Sequence, residues 1–301
     1  MIIRQNTPLR YPGGKAKFSP YIKCLMKEYQ LVGGHYVEPF AGGAGVALEV
    51  LFSKHSTDIH INDIDPAIYD FWNSLVNQTD DFLRLLNDTE VTVSEWHKQK
   101  AILDNPQDYS RLEHGFAALF LNRTNRSGIL KAGIIGGKAQ TGAYKIDARF
   151  QKKNLIRKIE KIAEYSSRIH TYNLDAVDFL RKIDGIIPDK SLIYLDPPYY
   201  VKGQGLYRNY YTHEDHVEIQ QALINVKNKW IVSYDNCEEI RDLYSSYRQD
   251  EYLLNYSAYH KKKGAEVMIF CEEFSDFTMK IGSLNVPRPR RRAGVSPKPS
   301  V

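Results

Sequence analysis

Cysteine is scarce in this chain. Cys24, Cys237 and Cys271 are scattered and odd in number. They exclude a disulfide framework, and no Cys-x-x-Cys pair exists to grip zinc. His97, His114, His213 and His216 show no metal-ligand spacing with cysteines or acids, so no metal is expected. Nor is there a Ser or Cys nucleophile elbow. Long apolar runs are missing as well: none approaches the roughly 18 residues that a membrane-spanning helix needs. Met1–Asn6 lack the apolar stretch of a signal peptide. A cytoplasmic protein with no membrane partner is the expectation.

A charge of one sign is also lacking over most of the chain. The net charge is +5, but the tail 285–301 supplies all of it through Arg288, Arg290, Arg291, Arg292 and Lys298. The body is neutral. That tail is too poor in apolar residues to fold alone and reads as a basic disordered extension. Within the neutral body one stretch stands apart. Leu119–Lys158 holds ten bases against the single acid Asp147. By itself this could be a solvated face. Its bases alternate with glycines and with Asn122, Thr124, Asn125 and Ser127, which suits contacts to a phosphate backbone better than a plain helix face.

Hydrophobic residues make up 43% of 301 residues, ordinary for a globular protein. Strand-turn-helix-strand describes the first third: a strand over His35–Phe40, a glycine turn, a helix over Val46–Phe52, and a strand over Asp58–Asn62. A helix follows from Pro66 to about Asn77. The stretch from 80 to 165 shows no strand alternation; helices are expected over Asp81–Leu86, Ser94–Leu103, Gln107–Phe120 and Lys152–Ser166. Strands return at Ile169–Asn173, Leu192–Leu195 and Trp230–Tyr234, with helices at His213–Val226 and Glu238–Ser245. Tyr252–Tyr259 and Glu266–Glu272 read as a closing antiparallel hairpin. Residues 1–65 and 166–284 are therefore expected to form one α/β domain, with 66–165 a mostly helical insert and 285–301 a tail.

Two motifs carry chemistry. Glu38-Pro39-Phe40-Ala41-Gly42-Gly43-Ala44-Gly45 joins a strand to a helix, where glycines let a ligand approach the backbone. It matches neither a P-loop nor the dinucleotide fingerprint. Asp63 ends the next strand, placed to accept from both hydroxyls of a ribose. Alone, the loop could still be a structural turn with a capping acid. The stronger signal is Asp196-Pro197-Pro198-Tyr199, directly after a strand. Its prolines fix φ and hold the Pro197 carbonyl outward beside the Asp196 carboxylate, with the Tyr199 ring adjacent. Two acceptors and one aromatic face make a slot for a planar group bearing an NH₂.

In that order, around a basic helical insert, these motifs resemble the Dam-type DNA adenine methylases of the alpha group of N6-adenine methyltransferases. The resemblance spans about residues 8–274. Tyr11-Pro12-Gly13-Gly14-Lys15 is similar to that family's element contacting S-adenosylmethionine, Asn62-Asp63-Ile64 to its ribose-binding acid, and Asp178-Phe179 to the pair beside the cofactor adenine. Leu121-Asn122-Arg123 followed by Gly128 resembles the start of its DNA-reading hairpin. Trp230–Ser233 and Lys263–Val267 resemble its late strands. The resemblance implies a Rossmann-like, AdoMet-dependent methyltransferase sheet with an inserted target-recognition domain. It implies methyl transfer to N6 of a flipped adenine in double-stranded DNA, with Asp196, Pro197, Pro198 and Tyr199 catalytic.

The cofactor would rest on Tyr11, Lys15, Glu38, Pro39, Phe40, Ala41, Gly42, Gly43, Asp63, Ile64, Asp178, Phe179 and Asp196. DNA would meet Asn122, Arg123, Asn125, Arg126, Ser127, Lys131, Lys138 and Lys145. In Dam an aromatic wedge and an Arg that reads guanine occupy the places held here by Arg126 and Lys131, so the target sequence stays open. A monomer and a cognate restriction endonuclease are further expectations. RNA adenine, or a silent DNA-binding protein, are the alternatives. The basic insert does not separate DNA from RNA. Intact Asp63, Asp196 and glycine loop argue against a silent relic.

Overall fold

A computed structural model describes residues 6–11, 14–200, 211–255, 263–274 and 277. Pro12 and Gly13 of the N-terminal element, the tip of the closing hairpin and the basic tail lie outside the described residues. The chain builds a seven-stranded sheet in the order β3-β2-β1-β4-β5-β7-β6. These strands are β1 (Gly34–Glu38), β2 (Ser56–Asn62), β3 (Ile169–Tyr172), β4 (Leu192–Leu195), β5 (Lys229–Asp235), β6 (Arg248–Asn255) and β7 (Lys263–Phe270). The pairs joining β1 to β5 are all parallel, whereas β7 runs antiparallel to both β5 and β6. Parallel strands buried on both faces need near-continuous apolar runs, and all four residues of β4 are buried.

The expected closing hairpin is present, but its strands begin four and three residues earlier than the periodicity suggests. Arg248-Gln249-Asp250-Glu251 opens β6 at the sheet edge, where one side has no strand neighbour and polar side chains are tolerated.

Strand order reverses at β1, whose neighbours are β2 on one side and β4 on the other. In open α/β sheets ligands bind beyond the carboxyl ends of the strands at such a switch point. Glu38 ends β1 there, and Asp196 follows β4 there.

Helices α1 (Ser19–Glu28), α2 (Gly45–Phe52) and α3 (Pro66–Asn77) flank this half of the sheet. Pro66 sits in the first turn of α3, and the Asp65 carboxylate caps the helix through the Ala67 N–H. The insert follows with α4 (Thr79–Asp88), α5 (Val93–Asp104), α6 (Arg111–Thr124) and α7 (Lys152–Ala163). Each helix is placed as its apolar pattern suggests, but α6 starts later and runs further. Ser110 and Glu113 form a reciprocal capping box that fixes its start. The core then swallows its whole middle, from His114 to Asn122.

The sequence groups α3 with the insert, yet this helix serves both sides. Its Trp72 indole donates to the Gly42 carbonyl at 2.9 Å. Its other face meets α6 at Gly115, where a Cβ would lie 2.5 Å from the Asp70 carbonyl oxygen. Only glycine permits that approach. Helices α8 (Ala176–Ile183), α9 (His213–Ile224) and α10 (Glu238–Leu243) complete the α/β layers.

Candidate active site

The glycine loop leaves β1 and is pinned to the end of β2. The Ala41 N–H donates to the Asn62 carbonyl at 2.9 Å, and the Gly42 N–H to the Asp63 carboxylate at 2.9 Å. Asn62 then ties three strand ends together. It donates to the Pro39 and Leu174 carbonyls and accepts from the Leu174 N–H. Gly42 adopts φ +45°, and a Cβ there would lie 2.7 Å from the Tyr11 ring. The ring of Tyr11 therefore lies directly against the loop.

Two acids frame this cradle. Glu38 is buried and accepts from the Tyr36 hydroxyl at 3.1 Å and the Ala47 N–H at 3.0 Å. Burial still pushes its pKa up to about 8. The Asp63 carboxyl takes the Gly42 N–H on one oxygen and the Asp65 N–H on the other. Desolvation raises it to about 7. Each oxygen retains a lone pair for a further donor. Beside Asp63 the Ile64 side chain is exposed, and Asn173 holds both their carbonyls. Phe40 stands edge-on to Tyr211 at 5.8 Å. The Tyr211 hydroxyl is buried without a hydrogen-bond partner among the described residues.

Phe179 is fully buried in the core against Tyr172, and Asp178 is exposed in the first turn of α8, paired with Arg181 at 3.2 Å. The helical period explains this: α8 turns Phe179 onto the sheet and Asp178 away from it.

Asp196 is the second centre. Its Oδ1 accepts from the Lys15 ammonium at 2.9 Å and from the Ser233 hydroxyl at 2.7 Å. Ser233 lies 2.9 Å from the Tyr194 hydroxyl. Burial pushes the Asp196 carboxyl up, while Lys15 pulls the other way. Lys15 is itself buried, and that burial disfavours its charge. Asp196 and Glu266 outweigh it and hold the ammonium protonated. Pro197, Pro198 and Tyr199 are all buried directly after β4. The Tyr199 ring lies 5.1 Å from the Lys15 ammonium, and its hydroxyl meets both Lys15 and Glu266.

Sequence reasoning assigned no role to Tyr36, Tyr194, Ser233, Tyr252 or Glu266. Alternation alone marks them as inward strand positions, and their common destination is visible only once the strands pair.

The DNA-facing candidates divide in two. Arg126, Ser127, Lys131, Lys138 and Lys145 are exposed. Ser127 and Gly128 both have positive φ, and a Cβ on Gly128 would lie 2.3 Å from the Arg10 carbonyl. Three other candidates turn inward, which corrects their reading as contact residues. Asn122 accepts from the Arg10 N–H and donates to the Arg10 and Gly128 carbonyls. Asn125 accepts from the Trp96 indole at 2.7 Å and donates to the Ile129 and Leu130 carbonyls. Arg123 is half-buried on the Pro8 carbonyl, and burial lowers its pKa to about 10. The sequence marks these three as polar residues in a basic stretch. It does not show that α6 carries them inward.

Comparison with known proteins gives a consistent answer. The family model for D12 class N6 adenine-specific DNA methyltransferase matches residues 11–262. The Type II methyltransferase M.CviBI of Paramecium bursaria Chlorella virus NC1A is 25% identical over 276 residues, covering 82% of this chain and 90% of that one. The Type II methyltransferase M.MjaIII of Methanocaldococcus jannaschii is 23% identical over 204 residues, covering 64% and 68%.

Proposed function

The chain belongs to the D12 class of N6 adenine-specific DNA methyltransferases, and from that premise we propose how its own residues perform the reaction. The enzyme methylates adenine in DNA at specific sites, using S-adenosylmethionine. When bound, that cofactor supplies an electrophilic methyl group on a positively charged sulfur. The cradle fits it. The Gly42–Gly43 turn gives close backbone approach, the Asp63 oxygens have lone pairs for a ribose, and Phe40 with the Tyr211 hydroxyl offers an aromatic, donor-bearing wall. Glu38, Pro39, Ala41, Ile64 and Tyr11 line the same place. Lys15 belongs with Asp196.

The target base stacks on Tyr199 after leaving the duplex, at a cost of a few kcal/mol. The two known donors to Asp196 both fall on Oδ1, which leaves Oδ2 for one N6 proton. The Pro197 carbonyl accepts the other. These bonds favour a tetrahedral nitrogen and stabilise the positive charge it develops as the N–CH₃ bond forms and the cofactor's S–CH₃ bond breaks to leave a neutral thioether; one N6 proton then departs to give a neutral amine. Two acids around one ammonium leave a negative environment for that charge. Much of the remaining rate comes from alignment, since the methyl must lie in line with N6.

Arg126, Ser127, Lys131, Lys138 and Lys145 form the exposed surface toward the duplex, with phosphate contacts compensating the flip. A monomer acting in the cytoplasm, paired with a restriction endonuclease, completes the reading. The name Type II of both relatives supports the pairing.

The observation that carries the site assignment is the Asp196 carboxylate and the Tyr199 ring joined by Lys15 at the switch point, with the two prolines between them. The test is single-molecule sequencing of plasmid DNA from a host without adenine methylation, expressing the protein or its Asp196→Ala variant. N6-methyladenine in one short context, lost in the variant, is the expected result. Methylation that survives Asp196→Ala overturns the assignment.

A further inference from the structure

Glu266 gathers the Tyr199 hydroxyl, the Tyr252 hydroxyl and the Lys15 ammonium around one carboxylate. It lies on β7 and is fully buried. One oxygen accepts from the Tyr199 hydroxyl at 2.5 Å. The other accepts from the Tyr252 hydroxyl at 2.6 Å and lies 3.3 Å from the Lys15 ammonium. Lys15 in turn holds Asp196. A buried carboxylate is an expensive structural filler, since apolar residues of similar volume usually stabilise a core as well or better. Here its donors are the groups that would meet the target base. Tyr199 supplies the stacking ring, and Lys15 fixes the acceptor.

We propose that Glu266 is a positioning residue for methyl transfer, orienting the Tyr199 ring directly and the Asp196 carboxylate through Lys15. The proposal rests on the slot described above.

Register explains why this position can do so. Glu266 pairs with Tyr252 of β6 on one side and with Asp235 of β5 on the other. β5, β6 and β7 therefore lie side by side at the level of this carboxylate. The groups around Asp196 are Lys15 ahead of α1, Glu38 and Tyr36 on β1, Tyr194 on β4, Tyr199 after β4, Ser233 on β5, Tyr252 on β6 and Glu266 on β7. Burial, reinforced by the neighbouring acids, keeps the Tyr36, Tyr194 and Tyr252 hydroxyls protonated. They act as fixed dipoles. The charges that bear on Asp196 most are then Lys15, which favours its ionised form, and Glu266, which opposes it.

The test combines Glu266→Gln with Tyr199→Phe in single-turnover methylation across pH, with 2-aminopurine at the target position reporting base extrusion. Glu266→Gln should lower the transfer rate by roughly ten- to a hundredfold, the weight of a hydrogen bond to a charged group. Removing the negative neighbour should also move the acid limb of the rate profile to lower pH. Tyr199→Phe keeps the ring and cuts its tether, so its loss should not add to that of Glu266→Gln in the double variant. A merely structural carboxylate would lower the melting temperature and leave the acid limb in place. A rate within twofold of wild type, an unmoved limb or strictly additive losses overturns the proposal. If Glu266→Gln does not fold, Tyr199→Phe alone decides: a wild-type rate and 2-aminopurine signal overturn it. Wild-type enzyme runs in parallel. If it transfers no methyl group, the slot reading falls; an active wild type with indifferent variants sinks this proposal alone.

Discussion

Replacing Asn125 separates holding the DNA-facing hairpin from touching DNA. The side chain makes three buried hydrogen bonds, to the Trp96 indole and to two carbonyls of the turn that follows α6. Asn125→Ala removes all of them. The indole N–H is left unsatisfied, at about 1–3 kcal/mol, and the two lost carbonyl bonds add about 1 kcal/mol each. The turn thus loses roughly 3–5 kcal/mol of local order. DNA binding must restore that order, so affinity should fall by about a hundredfold to a few thousandfold, at 1.4 kcal/mol per factor of ten.

The assay is fluorescence anisotropy with a duplex target at several salt concentrations. A residue that only supports the turn changes the affinity but not the number of phosphates neutralised, so the slope against log salt should stay as in wild type. Arg126→Ala and Lys131→Ala should each reduce that slope by about one if they contact phosphates. AdoMet binding should be unchanged in all three, because none borders the glycine cradle. A reduced salt slope for Asn125→Ala, or wild-type affinity, refutes the reasoning.

Three further outcomes are expected. Glu38 has its pKa raised to about 8 by burial, against an ordinary value of 4.5, so the fold holds this proton more tightly than the unfolded chain. Its contribution to stability is greatest below pH 4.5 and declines as pH rises to 8, by up to about 4–5 kcal/mol. Urea melts at pH 5.5 and 8.5 should show a smaller difference for Glu38→Gln than for wild type. Asp63 titrates near 7, and ribose hydroxyls donate best to its ionised form. AdoMet affinity, read by calorimetry, should therefore weaken below pH 7 in wild type and lose that pH dependence in Asp63→Asn. Gly115→Ala drives a methyl to within 2.5 Å of a backbone oxygen in α3, so denaturant unfolding should reveal a loss of about 1–3 kcal/mol or more.

Local rules suffice for much of this fold. The parallel strands announce themselves as short apolar runs, and Pro66 and Ser110 mark helix starts by their chemistry. The Asp196 slot is legible because its parts are contiguous, and proline rigidity is a local property. Asp63 is legible because strand ends at the switch point lie close together in any such sheet. What escapes is whatever depends on the third dimension. Glu266 is one inward residue on an edge-proximal strand, and only pairing with β5 and β6 brings it to Lys15. Asn122 and Asn125 look like surface donors in a basic stretch. Asn122 lies on the buried side of α6 and Asn125 caps the C-terminus of that helix, and nothing local shows how deep the helix lies.

The residues before α1 connect these two kinds of site. Backbone groups at 7–10 receive the insert: Lys158 donates to the Thr7 carbonyl at 2.8 Å, Arg123 to that of Pro8, and Asn122 brackets Arg10. A few residues later Tyr11 lies on the glycine loop, and Lys15 joins Asp196 to Glu266. The segment before α1 therefore takes hydrogen bonds from the insert at residues 7–10 and meets the Asp196 and Glu266 carboxylates at Lys15. Lys158 has its pKa lowered to about 8 by burial and by Arg123 and Arg157, with no acid paired to it among the described residues. A phosphate arriving on this cation cluster would relieve that repulsion and tighten the insert's grip on the segment.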